Sequence, residues 1–229
     1  MSTKWASPEL HDRLRAMLAG DIRPVTTKDA ATVVLVRDAA TPRADGSGRL
    51  EVFLLRRVAT MAFGAGMHVF PGGKVEPDDE VDPSVALPTA WADQLAGGDP
   101  QLLRRIVGAA VRETCEEAGV QLDPLQLKPF AHWITPEVEQ RRYDTRFLIA
   151  AIPDGQQATR ADGENDRGLW VSPQAGLQLT LMPPTRASLQ DLAECADTAV
   201  ALGRVRSFRA ILPRFELDGD GFRFVVQER

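Results

Sequence analysis

The chain has 229 residues, with 27 Lys and Arg against 32 Asp and Glu, a net charge of -5, and 44 % hydrophobic and 26 % charged residues. That is ordinary globular composition, long enough for one domain with additions, and it leaves no basic surplus for neutralising a nucleic-acid backbone. Two cysteines without a CxxC pair make no disulfide framework and fit a reducing cytoplasm.

The start, MSTKWASPELHDRLRAMLAG, is polar and amphipathic, without the apolar core of a signal peptide. No run of about 18 apolar residues offers a membrane span anywhere in the chain. Residues 7–19 read as a helix, with Ser7 as N-cap, Pro8 in the first turn and Gly20 at the stop. AATVVLVRD (30–38) and RLEVFLLRR (49–57) are strand-length runs joined by the turn cluster TPRADGSG, which predicts a hairpin with a long loop. The glycine-rich MAFGAGMHVFPGGKVEPDDE then lets the backbone approach something closely. Residues 81–100, broken by three prolines and two adjacent glycines, read as an irregular insertion with one helical turn.

From Asp99 the pattern becomes helical. Asp99 as N-cap, Pro100 at the first position and Gly119 at the stop bound a helix to Ala118. Its buried stripe is expected to be Leu102, Leu103, Ile106, Val107, Ala110 and Thr114. Strand-like runs return at KPFAHWIT, RRYDTRFLIAAI and GLWVS. Residues 183–203 read as a second long helix, and the end folds as a hairpin around Asp218-Gly219-Asp220-Gly221. This order predicts an α/β domain, a mixed sheet with helices on both faces.

Several chemistries fail on spacing. Five residues before Gly73-Lys74 stands His68 rather than glycine, and Val75 follows rather than Ser or Thr, so there is no P-loop. Gly64-Ala65-Gly66 lacks the third glycine of a dinucleotide fingerprint. His11, His68 and His132 form no HExxH, and no GxSxG elbow occurs. What remains is a carboxylate site in AAVRETCEEAGV: Glu113, Glu116 and Glu117 stand at i, i+3, i+4 and share one helical sector, with Arg112 in reach of Glu116. Such oxygens suit Mg²⁺ together with substrate phosphates. For an isolated ExxEE a solvated charged face is the simpler account, but this run abuts a buried stripe and follows a glycine-rich loop.

RETCEEAGV resembles the second half of the Nudix box, REUxEExGU with U aliphatic; Val120 fits the second U and Thr114 departs from the first. Counting back from Arg112 in an uninterrupted box gives Gly98 but puts Arg104 where an acid belongs. The better partner is VFPGGKVEPDDE, which places the box acid at Asp79, six residues after Gly73. An uninterrupted box would then have its arginine at 87; it stands at 112, so 25 residues are inserted. A box split in this way is similar to the coenzyme A and acyl-coenzyme A diphosphatase-like branch, as are LLRR with VFPGG (54–73) and HWITPE with RRYDTRFL (132–148).

The resemblance implies a Nudix-type α/β/α sandwich over 25–180 interrupted at about 80–99, preceded by a helical segment (1–24) and followed by a C-terminal helix and hairpin (181–229). It implies a metal-dependent hydrolase of a nucleoside diphosphate linked to another moiety, with coenzyme A or its acyl derivatives first. ADP-ribose or a dinucleotide, or a module that binds without cleaving, are the alternatives. Glu113, Glu116 and Glu117 would carry Mg²⁺ or Mn²⁺, with a carbonyl of Gly72 or Gly73. Arg112 would orient a carboxylate, and Glu164, six residues before Trp170, would be a fourth ligand or the general base. Arg57, Phe63, His68, Gly73 and Arg142 are candidate substrate contacts. Deleting residues 83–98 is expected to spare the metal site and alter substrate preference. Cys115, Trp133 and Trp170 read as packing residues. The partner would be a small molecule rather than nucleic acid or membrane, the location cytoplasmic; homodimers are common in the family.

Overall fold

The computed structural model describes residues 8–58, 65–159, 165–218 and 221–226. A first helix, α1 (Pro8–Ala19), ends at Gly20, whose positive φ of 83° turns the chain. Strands β1 (Lys28–Asp38) and β2 (Leu50–Arg57) pair antiparallel, Val36 opposite Val52, as the expected hairpin. Short β3 (His68–Val69) and β4 (Gly72–Lys74) follow, then α2 (Ala90–Ala96) and α3 (Pro100–Ala118). β5 (Lys128–Ile134), β6 (Tyr143–Ala151) and β7 (Asn165–Val171) lead to α4 (Pro173–Gly176), α5 (Pro183–Leu192) and α6 (Thr198–Gly203). The chain closes with β8 (Ala210–Ile211) and the hairpin of β9 (Arg214–Asp218) and β10 (Gly221–Val225).

Eight strands form one mixed sheet in the order β3-β2-β1-β6-β5-β8, with β4 also on β1 and β7 on β2. β1 and β6 run parallel from Lys28–Tyr143 to Val36–Ala151 at its centre. Central strands buried on both faces need near-continuous apolar runs, and ATVVLV supplies one. Ala31, Val33 and Leu35 face α2 and α3; Val34 and Val36 face the opposite layer, where Leu189, Leu192 and Ala201 of α5 and α6 cover the sheet.

Two expectations need correction. Residues 183–203 are not one helix. Between α5 and α6, the Ala196 carbonyl accepts the N–H groups of Arg49 (2.7 Å) and Leu50 (3.2 Å), and Asp38 accepts both the N–H and the hydroxyl of Thr198. Asp197 then caps a new helix through the Val200 N–H at 2.9 Å. Gly48 makes the docking feasible, because a side chain there would overlap the Ala196 backbone.

Nor is the insertion an irregular loop. Val81, Leu95 and Ala96 are buried in the α3-side core, with Val85, Leu87 and Trp91 packed against them. Gly97, in the left-handed conformation (φ 58°), stops α2. Arg104 donates to the carbonyls of Val81 (2.8 Å), Val85 (3.2 Å) and Asp82, while Arg146 donates to the Leu95 carbonyl at 2.8 Å. The insertion is part of the core.

Candidate active site

α3 forms where its caps dictate: the Asp99 side chain accepts the N–H groups of Gln101 (2.8 Å) and Leu102 (3.1 Å), Pro100 fills the first turn, and Gly119 (φ 68°) closes the last. The expected stripe is buried except for Leu102, which is half-buried. Thr114 occupies an aliphatic slot because its hydroxyl donates to the Ala110 carbonyl at 2.7 Å, so no polar atom is left unmet in the core.

Glu113, Glu116 and Glu117 lie at the carbonyl end of this helix, where the macrodipole disfavours negative charge. The surroundings answer with donors. Arg112 donates from Nη1 to Glu113 (2.8 Å) and Glu116 (3.0 Å), and its inner edge makes a two-pronged pair with buried Asp79, Nε to Oδ1 at 2.6 Å and Nη2 to Oδ2 at 3.0 Å. Nη2 also reaches the Lys74 carbonyl at 3.1 Å. Asp79 in turn accepts the Glu76 N–H at 2.7 Å. Arg112 therefore clamps the loop after β4 to α3 across the whole insertion, with the acid expected from the Gly73 spacing, while Arg104 holds carbonyls instead.

The glycines of β4 bring backbone against the acids. The Gly72 N–H donates to Glu117 Oε2 at 2.8 Å. A Cβ on Gly73 would overlap the Glu113 carboxylate, so glycine leaves that side chain room to lie against the strand. Burial pushes the Glu113 carboxyl above its ordinary value, opposed by Arg112. The Arg112 guanidinium is held far above its usual range, chiefly by its hydrogen bonds to Asp79. Glu117 is buried and Glu116 is largely exposed, so the set runs from the core to solvent.

Other nominated residues fall in different places. Arg57 ends β2 opposite Asn165 of β7. His68 is buried in β3, its ring on the Thr180 carbonyl at 3.2 Å. Arg142 is buried and donates to the carbonyls of Thr135 (3.1 Å) and Val25 (2.7 Å). Phe63 and Glu164 lie outside the described residues. One residue was missed by sequence reasoning: Asn165, 1 % exposed, donates from Nδ2 to Glu117 Oε1 at 3.2 Å.

Three carboxylates (Asp79, Glu113, Glu116) thus gather around one guanidinium, and Glu117 stands beside Glu113 and Glu116 at the same helix end, held by Gly72 and Asn165. An all-oxygen set with excess negative charge, partly desolvated, fits a hard divalent cation. Among the described residues no three acidic, His or Cys side chains stand in a metal-holding arrangement as they are. The reason is visible: Arg112 draws Glu113 and Glu116 to itself, while Glu117 is turned to Gly72 and Asn165. No helix among the described residues is long and apolar enough to cross a membrane.

A family model described as NUDIX domain matches residues 84–192. No curated protein matches the chain. A solved Nudix hydrolase from Alicyclobacillus acidocaldarius is similar at TM-score 0.62 and 24 % identity, covering 79 % of this chain and 97 % of that one. A MutT Nudix hydrolase from Burkholderia pseudomallei gives 0.47 and 18 %, covering 72 % and 98 %. The NUDIX domain of Shewanella oneidensis NrtR, complexed with ADP ribose, gives 0.47 and 14 %, covering 76 % and 94 %. The fold is the Nudix fold, and the domain match on that fold supports a pyrophosphohydrolase. The matched span begins inside the insertion, so Gly72, Gly73 and Asp79 lie ahead of it.

Proposed function

With a NUDIX domain on a Nudix fold as the premise, we propose that the protein is a Mg²⁺- or Mn²⁺-dependent diphosphatase. Its substrate is a nucleoside diphosphate linked to another moiety, with coenzyme A or an acyl derivative preferred, in the cytoplasm. The observation that carries this reading is that Glu113 and Glu117 lie against β4 and Glu116 joins them through Arg112, which is locked to Asp79. The cation would be held by these three glutamates; Glu116, being exposed, can swing away from Arg112, while Glu113 and Glu117 stay against the glycine backbone. A divalent cation bound there supplies Lewis-acid polarisation of a phosphoryl oxygen. The chain's own contribution is placement. Arg112 fixes two carboxylates, Asp79 fixes Arg112, and Arg57, opposite Asn165, is the cation nominated for the diphosphate. The coenzyme A preference rests on the split box and on the HWITPE and RRYDTRFL runs.

The test is a panel of coenzyme A, acyl-coenzyme A, ADP-ribose and NADH with Mg²⁺ or Mn²⁺, read by release of phosphate-bearing products. Coenzyme A or its acyl derivative should be turned over fastest, and Glu116→Gln or Glu117→Gln should each lose at least about 10-fold in rate, the scale on which metal-site residues act. Cleavage of ADP-ribose or NADH ahead of coenzyme A would change the substrate. Unaltered hydrolysis in both variants would remove the cation assignment.

A further inference from the structure

We infer that Asn165 is a positioning residue for the cation-binding carboxylate Glu117, and that a β-bulge in β7 exists at the place that delivers it; this rests on the cation reading above. The β2–β7 pairing shows how. Phe53 faces Trp170 and Leu55 faces Gly168 on the α3 side, while Val52–Val171, Leu54–Leu169 and Arg56–Arg167 face the other layer. Strict alternation would send residue 165, five before Trp170, to the layer away from α3. Instead the register slips after Arg56, Asp166 is skipped, and Arg57 pairs with Asn165. Cross-strand partners share a face, so the slip turns the Asn165 side chain to the α3 side, where Glu117 stands. Asp166, released from the ladder, makes a two-pronged pair with Arg56 at 2.7 Å on both arms.

The chemistry of the contact is as specific as its geometry. A carboxylate oxygen only accepts, so the amide nitrogen of Asn165 must face Glu117. Asn165 donates to Oε1 and the Gly72 N–H to Oε2, so two strands hold the two oxygens of one buried carboxylate. Both donors are neutral. These two neutral hydrogen bonds orient Glu117 from two strands, whereas Glu113 and Glu116 each give one oxygen to the Arg112 guanidinium. Glu117 is thereby the preset member of the trio, and Asn165 is what presets it from the β7 side.

The experiment compares Mn²⁺ dissociation constants of the full chain, from the electron paramagnetic resonance signal of free Mn²⁺. The variants are Asn165→Ala, the near-isosteric Asn165→Leu, Glu117→Gln, and each Asn165 change combined with Glu117→Gln; far-UV circular dichroism checks folding. Loss of the donor should weaken Mn²⁺ binding by about 10- to 100-fold, the range typical of residues that orient metal ligands. In the Glu117→Gln background the same changes should add no more than about 2-fold, because coupled residues are non-additive. Binding within about 2-fold of wild type in a folded Asn165 variant, or equal weakening in both backgrounds, overturns the assignment. No Mn²⁺ binding by the wild-type chain would instead remove the cation reading itself.

Discussion

Asp79→Ala should cost the fold several kcal/mol although residue 79 lies in a loop 33 positions from its partner. The Asp79 carboxylate is 5 % exposed and accepts three donors: Arg112 Nε at 2.6 Å, Arg112 Nη2 at 3.0 Å and the Glu76 N–H at 2.7 Å. Removing one member of a buried ion pair costs about 3–5 kcal/mol because the survivor is left desolvated and unmatched. The Arg112 side chain is 31 % exposed and keeps Glu113, Glu116 and the Lys74 carbonyl as partners, so part of that loss is recovered and the low end, about 3 kcal/mol, applies as an upper figure. The Glu76 N–H adds about 1 kcal/mol. With a urea m-value of about 3 kcal/mol/M, the upper end of the usual range for small proteins, the unfolding midpoint should fall by about 1 M or slightly more. Urea unfolding followed by tryptophan fluorescence measures this. A double-mutant cycle with Arg112→Ala should return a coupling of about 2 kcal/mol. A loss below about 1 kcal/mol, or additive single mutants, would refute the idea that this pair joins the two halves of the site.

Deleting residues 83–98 should abolish cooperative unfolding rather than retune substrate choice. The deletion removes buried Leu95 and Ala96, and truncating a leucine at such a position alone costs about 2–5 kcal/mol. It also takes away the carbonyls of Val85 and Leu95 that Arg104 and Arg146 use. A deletion variant with a native-like thermal transition would show that the insertion is a surface appendage after all. His68 predicts an acid limb in stability. Burial lowers its pKa below 6.5, with Arg56 and Arg167 adding to the effect against the Thr180 carbonyl and Asp166. The folded chain thus binds a proton less readily than the unfolded chain, so this contribution is intact above about pH 6.5 and is lost as pH falls below it. Unfolding free energy measured between about pH 6.5 and about pH 5 should fall more steeply for wild type than for His68→Gln, and parallel slopes would sink the argument.

α3 was legible to the residue because its signals are local: a capping acid, a proline at the first turn, a glycine in the left-handed region, and acids spaced on one sector. The central strands were legible because burial on both faces demands an apolar run. The failures share a different cause. Asp197 is a good N-cap, but the reason a helix ends before it is the docking of Ala196 on Arg49 and Leu50, roughly 150 residues away in sequence, which no helical period encodes. The prolines at 83 and 88 and the pair Gly97-Gly98 correctly marked breaks in the insertion, yet the burial of Leu95 between them is decided by α3 and the sheet. Asn165 was invisible because alternation points it away from the site, and only the slipped register reverses that.

The insertion raises one further question: how a site cut by 25 residues still closes. Joining the ends of a longer loop adds little, since closure entropy grows only with the logarithm of length, about 0.6 kcal/mol per doubling. Position is the harder requirement, and the structure meets it from the sheet as well as from α3. Arg146 of β6 holds the Leu95 carbonyl with Nε and the Asp29 carboxylate with Nη1 at 2.7 Å. The Asp29 carbonyl accepts the Val75 N–H at 2.9 Å, one residue beyond the Lys74 carbonyl that Arg112 takes. One buried arginine therefore ties the end of the insertion to the start of β1, and β1 pairs with β4, the glycine segment facing the acids. On the other side Gly108 lets α3 lie against the backbone of Asp79 and Glu80, where a side chain would overlap it. Residues 79 and 112 meet because both flanks of the interruption are fixed by these contacts, so the interruption can vary in content only as far as Leu95, Arg104 and Arg146 keep their partners.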